Sequence, residues 1–65
     1  MWTTYWWEVT DENSELCGEE FFTELQTDSK EKHLAYAKSI FPNVKLYCWG
    51  EVSESEAEAM GLETY

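Results

Sequence analysis

Residues 2 to 10, Trp-Thr-Thr-Tyr-Trp-Trp-Glu-Val-Thr, are almost all aromatic or β-branched. Such side chains lose rotamer freedom in a helix and fit the pleated, partly buried surface of a sheet, so this stretch predicts a β-strand. Side chains alternate along a strand. Tyr5, Trp7 and Val9 therefore share one face, and Trp2, Thr4, Trp6 and Glu8 the other. Both faces carry aromatic side chains, in a chain of 65 residues. A chain of about that length buries only about 60% of the surface its unfolded form exposes, which leaves room for one domain, residues 1–65, and one small core. The four Trp, four Tyr and three Phe make that core feasible, since each buried aromatic removes about 150–250 Å² from water. The same density separates the chain from disordered chains of comparable charge.

The polar run Asp11 to Glu15 predicts a hairpin loop. A second strand is expected from Glu19 or Glu20 to Gln26, with Phe21, Thr23 and Leu25 on one side and Phe22, Glu24 and Gln26 on the other. Asp28 followed by Glu31 three residues on reads as a helix cap. From Ser29 to Phe41 the apolar residues Leu34, Ala37, Ile40 and Phe41 recur at helical spacing, and Pro42 then disfavours continuation. A third strand is expected from Val44 to Val52, setting Val44, Leu46 and Cys48 opposite Lys45, Tyr47 and Trp49. Ser53 with Glu56 repeats the capping pattern, and Gly61 marks the stop of a short last helix.

The order β-β-α-β-α predicts an α+β fold. Strand two returns beside strand one, the helix crosses over, and strand three lands on the open side of strand one. The expected sheet is three-stranded and antiparallel in the order 2-1-3, with one helix packed on one face and a short C-terminal helix. Its inward set is Tyr5, Trp7, Val9, Phe21, Leu25, Val44, Leu46 and Cys48 against Leu34, Ala37, Ile40 and Phe41. The opposite face gathers Trp6, Phe22, Tyr47 and Trp49 with Glu8, Glu24, Lys45 and Glu51. A patch of that kind normally has a use, and three occupants compete: the C-terminal segment through Ala57, Met60, Leu62 and Tyr65; a second copy of the chain or an apolar peptide; or a protein partner.

Charge narrows the choice of partner. Fourteen carboxylates face four lysines and no arginine, for a net charge of −10. Residues 1–29 hold eight acids and no lysine, residues 30–45 hold every lysine and one acid, Glu31, and residues 46–65 add five acids. The resulting field repels phosphate backbones and anionic membranes and attracts basic surfaces. Direct nucleic-acid binding is thereby excluded even though an aromatic sheet face could serve as a stacking platform. A rigid array of carboxylates can instead compete for a groove that binds nucleic acid. Glu19, Glu20 and Glu24 on strand two, with Glu51, Glu54 and Glu58 near the C-terminus, are the acids best placed for one. In size and charge, though in no motif, the chain is similar to small acidic inhibitors of restriction and CRISPR nucleases.

Catalytic and metal chemistry find little support. Asp11, Asn13 and Glu15 open like a calcium-binding loop, but Leu16 stands where the required glycine belongs and Phe22 where the closing Glu belongs. Lone His33 with Cys17 and Cys48 cannot make a zinc site at the usual spacing. His33 reads as a partly exposed helix residue, and the two cysteines as buried, reduced thiols. No glycine-rich phosphate loop is present. The sequence thus predicts a soluble, cytoplasmic, non-enzymatic interaction protein with no cofactor and a basic protein partner; the alternatives are a module that homodimerises or binds an apolar peptide through the aromatic face, and a small structural domain whose acidic surface serves solubility.

Overall fold

The computed structural model describes all 65 residues. In chain order the elements are β1 (Thr3–Val9), β2 (Glu20–Leu25), α1 (Lys30–Ile40), β3 (Leu46–Val52), α2 (Glu54–Met60) and β4 (Glu63–Thr64). They build an α+β fold around a four-stranded mixed sheet in the order β3-β1-β2-β4. The expected 2-1-3 antiparallel arrangement is its centre, with β1 pairing antiparallel to both β2 and β3. The expectation of three strands needs correction, because β4 adds parallel to β2, Phe21 facing Glu63 and Phe22 facing Thr64. Two residues carry no periodicity to read. Their anchor is Tyr65, whose amide donates to the Phe22 carbonyl at 3.0 Å and whose ring stands edge-on to Phe21 and Phe41 at 5.7 and 5.6 Å.

On the α1 side of the sheet Trp7, Val9, Phe21 and Ala37 form the buried core, and Tyr5, Leu34, Phe41, Val44, Leu46 and Cys48 pack against it. Leu25 and Ile40, also expected there, are half-buried outside this cluster. Only seven of 65 residues are fully buried, so each carries an unusual share of the stability. Ser29, not Asp28, caps α1 by accepting the Lys32 amide at 3.3 Å. Asp28 instead offers its backbone carbonyl to the Tyr5 hydroxyl at 2.9 Å, tying the entry of the helix to β1. For α2 the sequence pattern holds: Ser53 accepts the Glu56 amide at 3.2 Å, and Gly61 closes the helix in the left-handed region, at φ 64°.

β3 departs from the expected unbroken alternation. Its register on β1 runs Val9 to Leu46, Glu8 to Tyr47 and Trp7 to Cys48, then jumps to Trp6 opposite Gly50. Trp49 is the extra residue of a β-bulge, and Gly50 sits at φ 123°, which side-chain-bearing residues rarely adopt. Beyond the bulge the faces exchange. Glu51 lies opposite Tyr5 on the side of α1, and Val52 opposite Thr4 on the other. No helix is long and apolar enough to cross a membrane.

Candidate functional site

α1 covers the side of the sheet that bears Trp7 and Val9. The remaining face is built in three cross-strand rows. Thr4 lies between Val52 and Glu24, Trp6 between Gly50 and Phe22, and Glu8 between Tyr47 and Glu20. Two carboxylates directly opposite each other repel, and Glu8 and Glu20 are such a pair. Each is engaged by an indole: Trp6 Nε1 donates to Glu20 Oε1 at 2.9 Å, and Trp49 Nε1 to Glu8 Oε1 at 3.0 Å. The two indoles stack, centroids 5.0 Å apart and planes 23° from parallel. Tyr47 stands nearly perpendicular to Trp49, also at 5.0 Å, with an interplanar angle of 81°. The result is a fixed aromatic step whose outer members, Tyr47 and Trp49, each remain 51% exposed.

The C-terminal segment covers the other part of this face. Phe22 is only 1% exposed, with β4 alongside it, so it is a core residue and not the contact residue the sequence predicts. At the Thr4–Glu24 end, α2 and the turn after it form an open cleft of about 370 Å³ lined by Thr4, Glu24, Glu54, Ala57, Glu58, Gly61, Leu62 and Thr64. Ala57 and Leu62 are half-buried there, and Met60 is half-buried in α2. Tyr65, expected on the same cover, instead reaches the α1 side against Phe41.

Of the sequence-predicted contact residues, Trp6, Tyr47, Trp49, Glu20 and Glu24 share the open face, and Glu54 and Glu58 join Glu24 around the cleft. Two stand apart. The bulge turns Glu51 to the α1 side, and Glu19 precedes β2, where its carbonyl accepts the Val9 amide at 2.9 Å. Glu8 is not among the predicted contacts, yet it holds the Trp49 indole; its cross-strand position beside Tyr47 and Glu20 is the signal that points to it. The lysines fall mainly elsewhere. Lys30, Lys32 and Lys38 are exposed on α1, across the sheet from the carboxylates, while Lys45 precedes β3 and alternates to the Tyr47 side.

Other polar groups serve the fold. The Asp11 carboxylate accepts the Asn13 amide at 3.0 Å within its own loop, and no group of three or more His, Cys, Asp and Glu side chains could hold a metal ion. Cys17 and Cys48 are free thiols; Cys17, expected to be buried, is exposed in the loop between β1 and β2, and Cys48 is half-buried. His33, expected to be partly exposed, is fully buried. Its Nε2 lies 2.8 Å from the Thr27 carbonyl and its Nδ1 2.8 Å from Thr23 Oγ1, and Thr23 Oγ1 accepts Trp7 Nε1–H at 2.8 Å. A carbonyl only accepts and an indole N–H only donates. In the neutral ring the proton therefore sits on His33 Nε2, and the Thr23 hydroxyl donates to Nδ1. Tyr5 adds an edge-on contact to His33 at 4.5 Å, and burial, then the nearness of Glu51, Cys48 and Asp28, raises its hydroxyl above the ordinary value of 10.0. Both of its neighbouring carboxylates lie on the α1 side, away from the open face. No family model, no curated protein and no solved structure matches the chain.

Proposed function

We propose that the protein is a non-enzymatic interaction module whose open sheet face engages a basic protein surface of the kind that binds nucleic-acid phosphates. One observation carries this reading: Glu8 and Glu20 flank an exposed aromatic step and Glu24, Glu54 and Glu58 line the cleft at the other end of the same face, while three of the four lysines lie on α1 behind the sheet. Block-wise charge in the sequence becomes two-sided charge in space. A field so arranged steers a cationic partner to one face. It also opposes pairing of that face with itself, because a homodimer would set one group of carboxylates against the other.

Titration with a fluorescent oligo-arginine peptide at increasing salt tests the reading. Affinity should fall steeply with ionic strength. Replacing Glu24 and Glu58 together by Lys should weaken binding much more than replacing Glu12 and Glu15 by Lys, although both pairs change net charge equally. Equal weakening would mean that overall charge alone attracts the peptide, and the proposal would be wrong. Displacement of DNA from a nonspecific DNA-binding protein then tests mimicry directly, with failure to displace at stoichiometric concentration counting against it.

A further inference from the structure

We infer that the corner formed by Tyr47, Trp49 and Glu8 is a receptor for an arginine side chain of the basic partner, and this rests on the function proposed above. Trp49 is held from three directions: Trp6 stacks on the ring, Tyr47 stands at 81° to it, and its N–H is bound to Glu8 at 3.0 Å. Its orientation is thus set before any ligand arrives, and half of its surface still faces solvent. A flat cation can lie on exposed indole or phenol while its N–H groups reach the Glu8 oxygen that the indole leaves free. Guanidinium has the shape for both contacts, being planar, weakly hydrated and forked; an ammonium can make only the charge contact well.

Strand addition along β3 is the competing mode for an edge strand, and the bulge disfavours it. Trp49 interrupts the ladder and Gly50 turns the backbone at φ 123°, which blunts an edge toward continuous pairing. Recognition then falls to side chains, and the corner is where aromatic surface and negative charge coincide. The α2 cleft is not required for it, since the carboxylates there add long-range attraction only.

Oligo-arginine and oligo-lysine of equal length should bind with the same salt slope, because they carry equal charge, and arginine should bind more tightly. Trp49→Leu should weaken the arginine peptide about two- to thirty-fold, the range that ~0.5–2 kcal/mol of cation–π energy gives at tenfold per 1.4 kcal/mol, while leaving lysine binding and both salt slopes nearly unchanged. Tyr47→Ser, at an exposed position, provides a second variant if loss of Trp49 disturbs the sheet. Equal affinity for the two peptides, or equal losses for both in either variant, would overturn the arginine receptor and leave the acidic-face reading standing. Failure of both peptides to bind would remove both.

Discussion

Replacing Thr23 by Val changes one hydroxyl for one methyl at a position with no solvent exposure. The shape survives, but the Trp7 indole N–H and His33 Nδ1, each 2.8 Å from that hydroxyl, lose their partner together. Neither group can reach water, since Trp7 is 1% exposed and His33 0%. A buried polar group left unsatisfied costs about 1–3 kcal/mol, so the pair should cost about 2–6 kcal/mol. Against that stands a total stability of roughly 0.05–0.15 kcal/mol per residue, or about 3–10 kcal/mol for a chain of this length. Urea unfolding followed by tryptophan fluorescence reads the effect directly. With m near ~1 kcal/mol/M for so small a domain, the midpoint should drop by about 2 M or more. Thr23→Ser keeps the hydroxyl and should retain most of the stability. Nitrogen-15 spectra should also find His33 protonated on Nε2 and the Trp7 indole proton slow to exchange. A Thr23→Val midpoint within about 0.5 M of wild type, or a proton on Nδ1, would refute the network as described.

Tyr5 predicts an alkaline limit. Its folded value lies above the unfolded 10.0, so the neutral hydroxyl's contribution is complete below about pH 10 and is lost as pH rises through the folded value; Tyr5→Phe should lower stability at neutral pH and flatten the decline above pH 10, and an unchanged alkaline slope would contradict this. Gly50→Ala meets no atom within 4 Å, so any loss is backbone strain, about 1–3 kcal/mol, with a reduced near-ultraviolet tryptophan signal if the bulge slips; wild-type unfolding would show the φ is not required. Tyr65→Ala removes two edge-on aromatic contacts, about 1–3 kcal/mol in all, and should let protease cut first within residues 53–65. Cleavage elsewhere, at an unchanged rate, would show that Tyr65 does not anchor the C-terminal segment.

Much of the architecture is legible in the sequence because the signals are strong and local. The aromatic and β-branched first strand, the apolar stripe of α1 and the Ser53–Gly61 caps each depend on short-range chemistry, and chain reversal rules then leave few arrangements. What escapes such a reading is decided by tertiary contacts. β4 exists because Tyr65 finds Phe21 and Phe41, and nothing within Glu63–Thr64 announces it. Gly50 inside a strand pattern hints at the bulge that sends Glu51 to the α1 side, but an isolated glycine does not say which neighbour becomes the extra residue. His33 is misplaced by its residue type, though it stands four before Ala37 and faces a strand whose inward positions include Thr23. Polarity suggests the surface; spacing points to the core.

The open face also contains arrangements that stability alone would select against. Glu8 and Glu20 face each other across neighbouring strands, where like charges are unfavourable by an amount comparable to the ~0.2–1 kcal/mol of a favourable pair. Tyr47 and Trp49 leave large apolar surfaces in water beside them. The indole hydrogen bonds reduce this penalty without removing it, since each occupies one oxygen and leaves the carboxylate charge in place. The buried Trp7–Thr23–His33 network lies on the opposite side of the same strands. An acidic coat kept only for solubility would need neither the oriented indoles nor the paired glutamates. On the proposed function both have a use: fixed aromatic planes avoid ordering losses on binding, and a guanidinium reaching Glu8 at the Tyr47–Trp49 corner would offset the repulsion between Glu8 and Glu20.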